Sequence, residues 1–106
     1  MIGSDGTVAR FSSNLGSAPT VDHTASSGVY EVNFGKDVSD CACEATIGDT
    51  GSSVPTQGQI SVSGDVDSDS VNDVYVQTFD KAGVTATDMP FHLYCVLQLI
   101  HRSKAL

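Results

Sequence analysis

Residues 28–47, GVYEVNFGKDVSDCACEATI, contain two runs in which side chains of different polarity alternate. In the first run, Tyr30, Val32 and Phe34 fall on one side and polar residues lie between them. The second run, 41–47, places a small or apolar residue at every odd position. A half-buried antiparallel strand requires this period of two, because successive side chains leave opposite faces of the sheet. The segment therefore predicts two strands of an antiparallel β fold.

Similar short runs recur along the whole chain, at intervals of roughly ten residues. Val is frequent and Leu is scarce, while Gly, Ser and Thr interrupt the runs, as is typical of short strands joined by turns. We expect strands at residues 7–11, 20–23, 29–34, 41–47, 59–63, 74–79, 84–87 and 91–100. The prediction is an all-β protein: an antiparallel, jelly-roll-like β-sandwich of about seven to eight short strands without substantial helix. We expect residues 1–106 to form a single domain.

The formal net charge of −8 argues against two classes of partner. Phosphate contacts need clustered Lys and Arg, so nucleic acid is not expected as a partner. An anionic membrane surface is equally disfavoured, and no stretch is long and apolar enough for insertion into a bilayer. We read the acidity as favouring solubility in crowded or extracellular surroundings. The first residues do not resemble a signal peptide, which fits either a small protein made in the cytoplasm or a domain of a longer chain.

The last predicted strand, at residues 91–100, differs from the others because it is apolar on both faces over most of its length. One interpretation is a central strand, covered by the opposite sheet on one side and by a loop on the other. The second interpretation is that another copy of the chain covers the outer face, because a small domain has limited internal surface. The second interpretation predicts a homo-oligomer, with a trimer as the first choice. Its predicted contact residues are Phe91, Leu93, Tyr94, Val96, Leu97, Leu99 and Ile100.

The acidic loop at residues 64–73 has a spacing of carboxylates that resembles the first ligands of an EF-hand loop. The carboxylates belong to Asp65, Asp67, Asp69 and Asp73. Ser70 stands where the sharp turn of such a loop needs Gly, and Val76 stands where a bidentate carboxylate is needed. We favour a solvated acidic turn, with a calcium site at these aspartates as the alternative. No other cofactor is expected.

The three cysteines, Cys41, Cys43 and Cys95, leave several pairings open. Cys41 and Cys43 lie two residues apart on one strand face, which is a poor geometry for a bond between them. One of them pairs with Cys95 in the first interpretation, and all three stay reduced as small apolar side chains in the second. A zinc site would need a fourth ligand, and His92 falls on the opposite face of its strand from Cys95.

Catalytic motifs are not evident in this sequence. His23, His92 and His101 occur among many Ser and Asp residues, but there is no nucleophile elbow and no acid pair in a recognisable context. We therefore expect a protein that is not an enzyme, and we read His92 as a partly buried structural histidine. The absence of Trp weakens a sugar-binding platform.

The segments GVYEVNF, DVSDCACEATIG, VYVQTFDKAG and PFHLYCV resemble parts of a small all-β module found in bacterial and phage-linked surface or fibre proteins, often at the end of longer chains. The resemblance spans roughly residues 28–96. In similar modules the position of Cys43 is more often aromatic, so the resemblance leaves any shared disulfide pairing open. It implies a trimeric tip or adhesive domain outside the cell, at the cell surface or on a virion.

We therefore expect a non-enzymatic structural or receptor-binding module of a fibre, tail or capsid-associated assembly. Its partner would be a surface glycan or a protein receptor, recognised through loops at residues 48–58 and 64–73. The alternative is a carbohydrate-binding module of a secreted or surface protein.

Overall fold

The structure is a computed structural model that describes residues 1–12, 16–64 and 71–97. These residues form six β-strands and contain no helix. The strands are β1 (Thr20–His23), β2 (Val29–Asn33), β3 (Cys41–Ile47), β4 (Gln59–Gly64), β5 (Asp73–Phe79) and β6 (Phe91–Leu97). The all-β prediction is confirmed for this part of the chain.

The strands form two antiparallel sheets. The larger sheet has the order β1-β2-β5-β4, and the smaller sheet pairs β3 with β6. In the larger sheet, Tyr30 lies opposite Val76. In the smaller sheet, Cys43 lies opposite Cys95. The two sheets share one core, so the arrangement is sandwich-like.

The alternation in residues 29–34 gives the core its centre. Tyr30 and Val32 are fully buried, and Phe34 packs at the edge of the same cluster, as the sequence pattern predicts. Phe91 is also fully buried and meets the Tyr30 ring edge-on, with ring centroids 4.9 Å apart. Burying a side chain of this size stabilises a fold by roughly 1.5–3 kcal/mol. The core therefore fixes β6 against β2.

The strands expected at residues 7–11 and 84–87 appear as single bridges between Val8 and Ile2 and between Ala86 and Phe79. Local turn chemistry accounts for both differences. The Asp5 carboxylate accepts the Thr7 N–H, and the backbone turns back at Gly6, which has a positive φ of 89°. The Asp80 carboxylate similarly accepts the Val84 N–H, so the backbone of the second segment turns around this side chain. Side chain–backbone bonds of this kind compete with strand pairing.

Candidate functional site

The outer face of β6, formed by His92, Tyr94 and Val96, is exposed along its whole length. Tyr94 and Val96 retain 56% and 52% of their accessible surface. The intervening residues point inward, because strand side chains alternate. Because the sheet fixes the positions of these two side chains, they form a defined apolar feature on this face.

Tyr94 is held on this face by a contact across the small sheet. Its hydroxyl donates a hydrogen bond of 2.7 Å to Oε2 of Glu44, its register partner on β3. This hydrogen bond to a negatively charged oxygen, with the charge itself, raises the pKa of Tyr94. The hydroxyl of Tyr94 therefore has a hydrogen-bond partner, while more than half of the residue's accessible surface stays exposed.

One backbone edge of β6 faces away from β3. Within the described residues, this edge has hydrogen-bond partners at one end of the strand only. There, the N–H and carbonyl of Phe91 bond to Ile2 at 2.9 and 2.8 Å. Leu93 and Cys95 present their backbone groups to the same side, because donors and acceptors alternate along an antiparallel strand. Among residues 1–12, 16–64 and 71–97, no backbone partner closes the edge beyond Phe91. Such an edge is suited to pairing with another chain.

The predicted contact residues divide between the two faces of β6. Phe91 is fully buried and Leu93 packs against the core, so these two belong to the interior, which corrects their assignment as contact residues. Tyr94 and Val96 lie on the exposed face. Leu97 ends the strand, and Leu99 and Ile100 lie outside the described residues.

The interpretation of residues 91–100 as a central strand is wrong for the described part, 91–97. β6 has β3 as its strand partner and stands at the end of a two-stranded sheet. The sequence misled because a long apolar run is typical of central strands, whereas here the outward side chains are left exposed.

Of the four aspartates of the acidic loop, Asp73 lies within the described residues. Asp73 begins β5, where it is 7% exposed and lies opposite Asn33 of β2. Asp65, Asp67 and Asp69 lie outside the described residues. Within the described ranges, no group of three or more His, Cys, Asp and Glu side chains could hold a metal ion. The calcium site stays a prediction.

The structure agrees with the first interpretation of the cysteines, in which either Cys41 or Cys43 pairs with Cys95. Cys43 and Cys95 form a disulfide across β3 and β6, with Cα atoms 4.0 Å apart, and Cys41 carries a free thiol. The register decides the pairing, because Cys43 lies directly opposite Cys95 and Cys41 lies opposite Leu97.

A cleft of about 530 Å³ lies where β3 begins and β4 ends. Its walls include Val38, Cys41, Cys43, Val62 and Asp73. Its size is within the range of small-ligand sites. The free thiol of Cys41 thus lies in the wall of an open cavity.

A polar cluster that the sequence does not reveal joins distant parts of the chain. Nε2 of His23 lies 3.2 Å from Oδ2 of Asp88, and Nδ1 lies 2.6 Å from the Val29 carbonyl oxygen. Both partners are acceptors, so the ring donates to both when both nitrogens carry hydrogen. The ring also stacks on Tyr30 at 3.9 Å between centroids.

The Asp88 carboxylate also organises the turn between β1 and β2. It accepts the N–H groups of Ser26 and Gly28, each at 2.7 Å. Burial raises the pKa of Asp88, but these hydrogen bonds and the contact with His23 outweigh that effect and lower it below its ordinary value. The contacts tie a turn and a distant segment together, which is a structural role.

His92 is exposed, which corrects the expectation that it is partly buried. Its Nε2 lies 3.3 Å from the carbonyl oxygen of Asp49. It faces away from Cys95, as the strand pattern predicts. His101 lies outside the described residues.

Comparison with protein-family models, with curated proteins and with solved structures finds no match to this chain. A search of the described residues finds no helix long and apolar enough to span a membrane.

Proposed function

We propose that this protein is a non-enzymatic structural or receptor-binding module of a fibre, tail or capsid-associated assembly, and that it self-associates as a trimer. The observation that carries the proposal is the outer face of β6, where Tyr94 and Val96 are about half exposed on a regular strand. A partner chain that covers them would remove apolar surface from water.

The charge distribution favours β6 as the meeting point of copies. A chain with a net charge of −8 repels its copies over most of its surface. β6, FHLYCVL, contains no Asp, Glu, Lys or Arg. The nearby carboxylate of Glu44 is engaged by Tyr94. Copies that meet at β6 therefore bring few charged groups together, with the Glu44 carboxylate as one nearby negative charge.

The finer form of the fold is part of this proposal. We infer a jelly-roll-like sandwich in which the segments at Val8 and Ala86 continue the sheets beyond the six strands. The support is that each segment already makes one antiparallel bridge with a neighbouring part of the chain. A location outside the cytoplasm is supported by the Cys43–Cys95 disulfide, because such bonds persist in oxidising compartments.

The role of His23 supports a non-enzymatic function. Both of its ring nitrogens contact acceptors of the protein itself, and its ring is stacked on Tyr30. A histidine engaged in this way organises structure, since a general base needs a nitrogen that can reach substrate.

Two single lysine substitutions test the proposal. Val96→Lys places a charge on the outer face of β6, whereas Ser61→Lys places the same charge at an exposed position on β4. We expect sedimentation velocity to show trimers for the wild type and Ser61→Lys, and monomers for Val96→Lys. A Val96→Lys trimer of unchanged stability would overturn the assignment of the contact to β6.

The exposure of Tyr94 favours one second candidate, a carbohydrate-binding module. Sugars stack on exposed aromatic rings, and Tyr94 presents such a ring beside the carboxylate of Glu44. A glycan array separates the two functions. Hits that Tyr94→Ala removes would favour sugar binding, and an array without hits from a stable trimer would favour the structural role.

A further inference from the structure

Cys41, Cys43 and Cys95 form a cluster in the small sheet. A disulfide joins Cys43 to Cys95, and Cys41 carries a free thiol two residues before Cys43 on the same strand. All three side chains pack at the edge of the core. Cys41 and Cys43 line the same cleft of about 530 Å³. A thiol and a disulfide thus share one face of one strand.

We propose that the Cys41 thiol exchanges with the Cys43–Cys95 disulfide, giving a second isomer with a Cys41–Cys95 bond. The Cys41 thiolate attacks Sγ of Cys95, the new S–S bond forms, and the Cys43–Cys95 bond breaks. Cys43 leaves as a thiolate and takes up the proton that Cys41 released. One disulfide and one thiol are present before and after, so the step needs no oxidant or reductant.

The register identifies Cys95 as the sulfur that is attacked. Cys41 lies opposite Leu97 and Cys43 lies opposite Cys95, so Cys41 and Cys95 are diagonal neighbours. Diagonal pairs have Cα atoms about 7–8 Å apart and somewhat closer Cβ atoms. Attack on Cys43 would instead join positions i and i+2 of one extended strand, whose side chains are held apart along the chain.

The position of Cys41 in the fold makes the required movement local. A disulfide needs Cβ atoms about 3.5–4.5 Å apart, so the strands must shift slightly for the diagonal bond to form. Cys41 is the first residue of β3, and its N–H bonds to the Val38 carbonyl in the preceding turn. The ends of strands open more readily than their centres. Because the second isomer needs this shift, Cys43–Cys95 is the major form.

Both isomers keep β6 tied to β3, since Cys95 is bonded to β3 in each. The difference lies in the cleft, where the free thiol moves from Cys41 to Cys43. The cluster is therefore an exchange site whose reactive thiol has two positions, and this inference is independent of the proposed function.

Disulfide mapping of the intact chain tests the exchange. Wild-type protein is held at about pH 8.5, near the ordinary pKa of a thiol, then alkylated with N-ethylmaleimide in acid and digested without reduction. Tandem mass spectrometry that fragments the peptide between residues 41 and 43 shows which cysteine is alkylated. We expect a minor fraction with Cys43 alkylated and Cys41 bonded to Cys95. Detection of Cys43–Cys95 alone would overturn the proposal.

Two serine variants provide a matched pair. We expect Cys41→Ser to hold the Cys43–Cys95 bond, and Cys43→Ser to form Cys41–Cys95, so that neither has a free thiol by dye titration under native oxidising conditions. Two free thiols in a Cys43→Ser protein with the circular dichroism spectrum of Cys41→Ser would contradict the diagonal geometry. Wild-type mapping decides the matter if Cys43→Ser does not fold.

Discussion

The Asp88 carboxylate lies 3.2 Å from Nε2 of His23, although the two residues are 65 positions apart. The same carboxylate accepts the N–H groups of Ser26 and Gly28. One side chain therefore joins the β1–β2 turn, the end of β1 and the segment before β6. These contacts hold the turn against the segment before β6.

Replacing Asp88 with Ala should destabilise the protein by about 2 kcal/mol or more, because hydrogen bonds to a charged group are worth roughly 1.5–3 kcal/mol each. Urea unfolding near neutral pH measures the change. Asp49→Ala is the control, because the Asp49 carboxylate accepts one local N–H, that of Gly51. Equal unfolding midpoints for the two variants would show that the contacts of Asp88 do not stabilise the fold.

Gly28→Ala should also destabilise the fold, for a steric reason. Gly28 has a positive φ of 69°, and an added Cβ would lie 2.7 Å from the Thr78 carbonyl oxygen and 2.9 Å from the Thr87 nitrogen. The left-handed conformation alone costs a non-glycine residue about 1–2 kcal/mol, and the backbone clash adds to it.

The matched control for Gly28 is Gly64→Ala, because an added Cβ at Gly64 meets no described residue within 4 Å. Thermal unfolding should show a clear decrease for Gly28→Ala and little change for Gly64→Ala. Similar melting temperatures for the two variants would contradict the close approach at Gly28.

The Tyr30 hydroxyl predicts an alkaline loss of stability. Its burial, with the Asp88 charge nearby, raises the pKa of Tyr30 from 10.0 to about 12. Folding therefore favours the protonated phenol, so its contribution is complete below pH 10 and is lost as the pH rises from 10 to about 12. Urea unfolding at neutral pH and within that window should show the difference.

Tyr30→Phe separates this effect from general alkaline unfolding. The variant loses the 2.6 Å hydrogen bond from the Tyr30 hydroxyl to the Ser4 carbonyl oxygen, so it should be less stable at neutral pH. It should also lose less stability than the wild type between neutral pH and the alkaline window. Equal losses of stability for Tyr30→Phe and the wild type between neutral pH and the alkaline window would contradict the prediction.

Reduction of the Cys43–Cys95 disulfide should lower the free energy of unfolding by about 4 kcal/mol, the chain-entropy value for its sequence separation of 52 residues. Unfolding curves with and without a phosphine reductant measure the loss. A Cys41→Ser protein should lose a similar amount, because Cys41 takes no part in the major bond. Superimposable curves for the oxidised and reduced protein would refute a stabilising bond.

Much of the scaffold could be predicted from local alternation. Tyr30 and Val32 are inward because polar residues separate them, and the same reasoning places Cys43 toward the core. The choice between Cys41 and Cys43 as the partner of Cys95 could not be made, because it depends on the register of two strands far apart in the chain.

The remaining features depend on contacts that have no local signal. Thr7 and Val84 belong to segments with strand-like composition, yet their N–H groups bond to nearby Asp side chains, and each segment makes only a single bridge in the described part of the chain. The Asp88–His23 contact joins the last residue of β1 to a residue of the segment before β6, and neither belongs to a recognisable motif. The sequence could not show which face of β6 is buried, because both faces are largely apolar.

The mass of the wild-type protein in solution tests the central claim most directly. Sedimentation equilibrium at micromolar concentration should give the mass of three chains, because the outer face of β6 is covered by other copies in the proposed assembly. A mass of two chains would contradict the trimer, and a mass of one chain would contradict self-association through β6 altogether.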